Sequence, residues 1–546
     1  MTPPPANEPW DVIVVGGALS GAATALLLLR RNPRLRVLIL ERSAEFSRRV
    51  GESTVEVSAY FLGRVLGLTE HLNQHHLTKQ GMRFWFANDR TKDLGDCSET
   101  GPRYNVRFPG YQVDRAVLDQ EVLDRVVAAG ATLLRPVNVR DINLVTGGQQ
   151  TVTWESVPPS DASASLSAIP SPPAPRPSPQ TATARWVVDA SGFASLLARK
   201  NGWFTPNTAH PIAACWSRWT GVKNLDSREL AEKFPAFAKR TNGVRYTATN
   251  HIVGLGWWSW WIPLKGGDFS VGIVYDQRIT ELQPGGKLGD RLKEFLNVHP
   301  AARELLADAA FQTGDVHFRR NCAYSSSTFA GDGFALVGDA AAFMDPFYSP
   351  GMDWISFTAT ATANLVDGCL RGRPAAERVA RHNERFRLSY SRWFDAVYRD
   401  KYYYMGDHEL MTLAFRLDLG LYYLGIVSQP FKNGESALET PAFAGRGSGY
   451  AARLLALYNR RLAAIARRRL AVGTWGRKNA NRYFPFMSYQ LDRRLPWRVL
   501  WALVMWGKLE LTEGWHTWFT AAVPVAQART LAPRAVTRAI HPLSPA

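Results

Sequence analysis

Residues 11 to 41 constrain the fold more tightly than any other stretch. Asp11 to Val15 is an apolar, β-branched run that ends at Gly16. An Ala- and Leu-rich segment follows from about Ser20 to Arg31, and a second apolar run, Arg36 to Leu40, ends in Glu41. Strand, glycine turn, helix and strand within about 30 residues mark a parallel β-α-β unit. Gly16, Ala18 and Gly21 occupy the three positions of G-x-G-x-x-G, with Gly17 as an extra glycine. The first glycine permits the tight turn, and the third lets helix and strand approach closely. Amides at the helix N-terminus then face a pyrophosphate, where the helix dipole favours negative charge. Ala18 adds a methyl where backbone and phosphate meet. Glu41 is placed to accept hydrogen bonds from a ribose diol, and an acid there favours an unphosphorylated ribose, as in FAD or NAD.

The rest of the chain sorts into blocks. Its 546 residues are enough for about three or four domains. Val113 to Gly130 has helical periodicity, and Val157 to Thr183, rich in Pro, Ser and Ala, reads as a disordered insertion between two strands. Arg185 to Asp189 resumes as a buried strand. Pro211 to Tyr275 reads as a sheet, and Phe334 to Val337 as a short strand entering Gly338-Asp339. Beyond about Arg371 the chain reads as helical. The 19 Trp exceed what ordinary core packing needs, so some should line a flat apolar pocket.

Lys and Arg outnumber Asp and Glu by 65 to 47, a net charge of +18 that attracts acidic partners. Part of this is a cluster at Arg460, Arg461, Arg467, Arg468 and Arg469, which reads as a solvated basic surface. No nucleic-acid-binding module accompanies it, so nucleic acid is not an expected partner. Cys97, Cys215, Cys322 and Cys369 are too scattered for a disulfide framework or a zinc site, and no metal is expected. MTPPPANEPW lacks a signal segment, and no uninterrupted apolar run reaches bilayer length. The expected location is therefore cytoplasmic, with peripheral membrane contact left open. Trp497 to Ala522, apolar and Trp-rich, reads as a helical cover on a pocket.

Several segments resemble one flavoprotein group. Gly338-Asp339-Ala340-Ala341 resembles the second FAD fingerprint of the group that includes aromatic hydroxylases and flavin-dependent halogenases. Asp189-Ala190-Ser191-Gly192 resembles its central Asp-x-x-Gly element. Tyr111-Gln112-Val113-Asp114-Arg115, followed by Leu118-Asp119, resembles the segment whose Arg lies close to the cofactor. Three further segments resemble the halogenases in particular. They are Phe46 to Thr54 with its Gly51-Glu52-Ser53, Trp258-Ser259-Trp260-Trp261-Ile262-Pro263 as Trp-x-Trp-x-Ile-Pro, and Phe343 to Gly351 as Phe-x-x-Pro-x-x-Ser-x-Gly.

The resemblance implies an α/β fold: a Rossmann-like FAD-binding domain of aromatic-hydroxylase type in three segments, residues 9–83, 111–200 and 321–371. Residues 84–110 and 201–320 would form the inserted substrate-side β-sheet, and residues 372–546 a helical C-terminal domain over the substrate pocket. It implies FAD contacts from Gly16, Gly17, Ala18, Ser20, Gly21, Glu41, Arg42, Arg49, Glu52, Ser53, Arg115, Asp189, Gly192, Gly338, Asp339, Pro346 and Gly351. In the family, reduced FAD, O2 and chloride or bromide give hypohalous acid, which is relayed to a Lys. Thr78-Lys79-Gln80-Gly81 resembles the Lys-x-Gly segment of phenol- and pyrrole-type halogenases, which makes Lys79 the catalytic candidate.

Halide binding would fall to amides near Ser349 and Gly351, and Trp258 and Trp260 would keep substrate from the flavin. His75-His76 reads as ordinary surface. Two departures stand out: Pro350 replaces the usual Ser or Thr and removes an amide donor, and Glu56 stands where a Pro is common. The expected partners are a small electron-rich aromatic substrate, free or tethered to an acidic carrier protein, and a separate flavin reductase. The alternatives are an aromatic monooxygenase using NAD(P)H and an isoprenoid or lipid reductase.

Overall fold

The computed structural model describes residues 8–157, 178–486 and 489–518. Its first sheet grows from the β-α-β unit. Strand Trp10–Val15 lies between the parallel strands Val37–Leu40 and Gln180–Asp189, so that Val14 faces both Ile39 and Val188. Phe334–Leu336 extends the parallel set beyond Gln180–Asp189, and Thr132–Leu134 extends it beyond Val37–Leu40. These strands read as unbroken apolar runs because a parallel sheet is covered on both faces. Helix Leu19–Arg31 packs against helices Arg115–Ala128 and Pro350–Leu370.

Two glycines make the turn possible. Gly16 sits at φ +102°, and a Cβ there would lie 2.4 Å from the Ala190 carbonyl oxygen. A Cβ on Gly21 would lie 1.9 Å from the Gly16 carbonyl oxygen.

The second sheet has eight strands in the order Ala310–Arg319, Ile212–Thr220, Phe269–Asp276, Trp257–Pro263, Thr249–Gly254, Met82–Phe86, Ser98–Gly101 and Tyr483–Pro485. Met82–Phe86 pairs in parallel with Thr249–Gly254, a strand far away in the sequence. Tyr483–Pro485 corrects the all-helical reading after Arg371, because it pairs with Ser98–Gly101 at the sheet edge.

Other expectations are also corrected. Gln180 to Thr183 belong to strand Gln180–Asp189 and pair antiparallel with Thr151 to Trp154, so the insertion is shorter than expected. Residues 158–177 of that insertion lie outside the described residues. The helix expected from Val113 starts at Arg115, because the Asp114 carboxylate accepts from the Ala116 amide as its N-cap. The arginine cluster is partly structural. Arg461 pairs with Glu510, Arg467 with Asp400, and Arg469 with Asp407, Glu409 and Glu513. The helical stretch His408–Asn433 is long and apolar enough to cross a membrane, contrary to the sequence reading, but most of it is buried against the rest of the chain. The helix Leu495–Thr512 turns its large apolar residues outward, so the expected pocket cover is not its arrangement; residues 519–522 of that stretch lie outside the described residues.

The glycine turn yields a test. Gly21→Ala should destabilise the protein by about 1–3 kcal/mol, the usual cost of overpacking, and weaken FAD binding. Denaturant unfolding and flavin fluorescence titration would measure both.

Candidate active site

Two cavities share one wall. The larger, about 1160 Å³ of empty volume, is bordered by Glu52, Ser53, Arg115, Asp339, Ser349 and Gly351, with Trp216, Trp258 and Trp260 along the sheet side. The smaller, about 550 Å³ of empty volume, is bordered by Val55, Glu56, Tyr348, Pro350 and Asp353, with Phe415, Tyr422 and Trp393 from the C-terminal helices. Residues 53 to 56 and 348 to 353 therefore alternate between the two spaces.

Lys79 is buried in this wall. It ends strand Leu77–Lys79, and its Nζ donates to Ser53 Oγ and to the Thr54 carbonyl, both at 2.8 Å. Burial pushes its pKa down to about 8, against the opposing pull of Glu56 and Asp353. Sequence reasoning missed Asp353 and treated Glu56 only as a departure. Burial raises both carboxyls, Asp353 to about 7, although hydrogen bonds oppose the shift. Asp353 accepts from the Ser58 amide at 2.9 Å and from Tyr422 Oη at 2.8 Å; Glu56 accepts from Tyr423 Oη. The available signal was a lone acid in the apolar run Met352 to Phe357.

The cofactor-side residues divide into those that face the larger cavity or the glycine turn and those that do not. Glu41 accepts from the Gly17 amide at 2.7 Å and the Ser43 amide at 2.8 Å, leaving each oxygen a second lone pair for a ribose. Ala18 N-caps helix Leu19–Arg31 without a side-chain acceptor, so first-turn amides beside Ser20 stay open to an anion. Arg115 borders the larger cavity, held by Asp119 at 2.8 and 3.0 Å. Asp339 faces Arg115 and Arg319, and burial raises its carboxyl pKa. Gly338 sits at φ +56°, where a Cβ would press on Ser20 at 2.9 Å. Pro346 also borders the cavity. Cavity size, the aromatic wall, the cation at Arg115 and the open helix amides all suit a bound FAD.

The other expected residues sit as follows. Asp189 gives both oxygens to backbone, accepting from Ser191 at 2.9 Å and Leu197 at 2.8 Å, so it fixes the turn containing Gly192 rather than facing the cavity. Arg42 is exposed, and Arg49 stacks over Phe46 at 5.3 Å; neither borders the larger cavity. Glu52 borders it but is tied to Arg218, with burial raising its pKa to about 7. Ser53 is engaged by Lys79 and by Thr249 Oγ1 at 2.9 Å. The Ser349 amide, expected to face a halide, donates to the Pro346 carbonyl at 3.0 Å because Tyr348 and Ser349 both take positive φ. The Gly351 amide lies in the first turn of helix Pro350–Leu370, where no intrahelical acceptor exists. His76 is buried, accepting from the Asp114 amide at 3.2 Å, whereas His75 is exposed.

Trp258 and Trp260 alternate on strand Trp257–Pro263, so both face the larger cavity. Their rings lie 5.9 Å apart, and their indole N–H groups donate to Tyr402 Oη at 3.0 Å and Ser270 Oγ at 3.1 Å. His251, absent from the sequence reading, also borders this cavity and stacks on Phe84 at 5.0 Å, and burial holds it neutral with a pKa near 3. Among the described residues no group of His, Cys, Asp and Glu could hold a metal ion.

Comparison with known proteins agrees with this geometry. Residues 9–209 match the FAD binding domain family model. A flavin-dependent halogenase of Dictyostelium discoideum is 29% identical over 375 residues, 65% of this chain and 60% of that protein. The sulochrin halogenase of Aspergillus terreus is 26% identical, covering 71% of this chain and 68% of that protein. The alignment thus spans less than two thirds of the Dictyostelium relative. Among solved structures, halogenase PltM in complex with phloroglucinol and FAD superimposes with a TM-score of 0.63 at 19% identity, covering 97% of this chain and 96% of that one. The myxobacterial chondrochloren halogenase CndH gives a TM-score of 0.58 at 22% identity, covering 83% and 97%. Residues 9–209 thus match an FAD-binding domain, and the chain is similar in sequence and in fold to flavin-dependent halogenases.

Proposed function

We propose that the protein is a flavin-dependent halogenase acting on an electron-rich aromatic ring. The observation that carries this reading is the Lys79 ammonium, buried in the wall between an FAD-sized cavity and an aromatic-lined one. FAD, reduced by a separate reductase, would supply hypohalous acid from O2 and chloride or bromide. The Gly351 amide and the positive end of helix Pro350–Leu370 offer the halide a site. Trp258 and Trp260 keep the ring away from the flavin side.

Lys79, with its pKa near 8, can orient the acid as an ammonium or bond it as a free amine. Substitution on a ring forms one carbon–halogen bond and breaks the halogen–oxygen bond of the acid; the ring loses one proton, and the departing hydroxide leaves as water once protonated. Glu56 and Asp353, raised by burial, stand at the smaller cavity to accept the ring proton. The substrate is a small aromatic compound, free or tethered to an acidic carrier protein.

One observation favours a second reading, an aromatic monooxygenase. Pro350 has no amide, and the Ser349 amide is already used, so the halide site has fewer donors than expected. Purified protein with FAD, a reductase, NADH, O2, bromide and a panel of phenols, indoles and pyrroles separates the two. A bromine isotope doublet that vanishes in Lys79→Ala, with FAD still bound, is the expected result. A doublet that survives in the variant removes Lys79 from the reaction. A gain of one oxygen, indifferent to bromide and to the substitution, would establish the monooxygenase.

Asp353 gives a pH test. Its folded pKa near 7 lies above the unfolded value of 3.8, so the folded state holds a proton that the unfolded chain has lost between these values. Stability should therefore fall as pH rises from about 4 to 7, by at most about 1.4 kcal/mol per pH unit for this group. Asp353→Asn should flatten that decline, leaving the part due to the other raised carboxyls, among them Glu52, Glu56 and Asp339. Denaturant unfolding at pH 5 and pH 7.5 reads the difference, and an unchanged slope would contradict the assignment.

A further inference from the structure

The helix Leu495–Thr512 buries one face and leaves the other without a cover. Leu495, Val499, Ala502 and Leu509 pack inward, and the helix lies against His408–Tyr422. On the opposite face Trp497 is 71% exposed, Trp501 60% and Leu511 80%, with Leu500 and Val504 also exposed. Their spacing places all five on one stripe at 3.6 residues per turn. Trp518, 66% exposed, and Trp515 continue the apolar surface beyond the helix. Soluble chains seldom leave so large a contiguous apolar patch open.

The charges around the stripe have one sign. Arg493, Arg494 and Lys508 are exposed and enter no ion pair among the described residues. The neighbouring acids are committed elsewhere: Asp492 to Arg498, Glu510 to Arg461, and Glu513 to Arg469 and Arg477. A groove of about 1100 Å³ beside the helix is bordered by Arg416, Arg494, Arg498, Trp497 and Trp501. Arg416 Nε and Arg498 Nη1 have no hydrogen-bond partner among the described residues.

We propose that this face docks on an anionic lipid bilayer, with the Trp–Leu stripe at the boundary of headgroups and acyl chains and the arginines on lipid phosphates and carboxylates. Trp favours that boundary because its ring is apolar and its N–H stays wet. A helix lying in the interface gains from buried apolar area and from basic residues facing anionic lipid. A ridge of aliphatic and indole side chains flanked only by cations suits a fluid anionic surface. An acidic carrier protein would instead need hydrogen-bonding groups within the patch to set its register, and the stripe has only indole N–H groups.

The test is co-sedimentation of the FAD-loaded full chain with phosphatidylcholine vesicles, with and without phosphatidylserine. The expected result is binding to the phosphatidylserine vesicles, a blue shift of Trp emission, and release at high salt. Trp497→Ser with Trp501→Ser should weaken binding by about tenfold or more while FAD stays bound. Arg493→Glu with Arg494→Glu should remove the preference for phosphatidylserine. No sedimentation with either vesicle, or binding indifferent to the Trp substitutions, overturns the proposal. Vesicle binding that appears only after removal of residues 519–546 overturns it by assigning the stripe to the chain's own tail. Binding of an acidic carrier protein that the Trp variant abolishes, without vesicle binding, overturns it by assigning the stripe to a protein partner.

Discussion

Ser53 is where the two halves of the molecule are joined. Its hydroxyl accepts from Lys79 and meets Thr249 Oγ1 at 2.9 Å, and Thr249 in turn accepts from Gln112 Nε2 at 3.0 Å. Thr249 begins a strand of the aromatic sheet, Gln112 leads into helix Arg115–Ala128 of the cofactor domain, and Lys79 ends a strand paired with Gly110–Gln112. Each of these polar groups is buried, so each must find a partner inside the protein. Because they find one another, the wall between the two cavities has one geometry, and the position of Lys79 follows from it.

The interior carries more charge than a packed core normally tolerates. Glu99 lies fully buried between Arg83 and Arg245, and Lys401 pairs with Asp418 at 2.7 Å. Asp345 accepts from Tyr402 Oη at 2.8 Å and lies 2.7 Å from His210. Desolvating such groups is costly, and good geometry with further hydrogen bonds is what offsets it. The wall is different, since Lys79 faces Glu56 and Asp353 without a direct ion pair among the described contacts. Burial moves all three toward neutrality, and Lys79 near 8 and Asp353 near 7 can exchange a proton at little cost. On the proposed reading, that is the property a halogenating site needs.

The aromatic sheet contributes shape as well as burial. Trp257 and Trp261 pack into the core on the far side of the sheet from Trp258 and Trp260. A single Trp-rich strand thus serves both the core behind the sheet and the wall of the larger cavity. The C-terminal helices close the smaller cavity with Trp393, Phe415 and Tyr422, so the segment least legible in the sequence supplies much of the pocket surface.

The sequence by itself determined the parts that depend on local rules. Gly16 and Gly21 could be read because a left-handed turn and a sub-van der Waals approach admit no side chain. The alternation of Trp258 and Trp260 could be read because a strand has a period of two. The buried strands could be read because a parallel sheet is apolar on both faces. Only the tertiary structure decided which polar side chains meet. Asp189 places its oxygens on the Ser191 and Leu197 amides, and Ser349 commits its amide to the Pro346 carbonyl. His251 and Arg218 gave no pattern, and Asp353 only that of a lone acid in an apolar run, because their partners lie far away in the chain. The helix Leu495–Thr512 looked like a cover from its composition, yet its outward face was set by what it packs against. Periodicity records which face of an element is apolar, whereas hydrogen-bond partners and the side that meets solvent arise from contacts between distant segments.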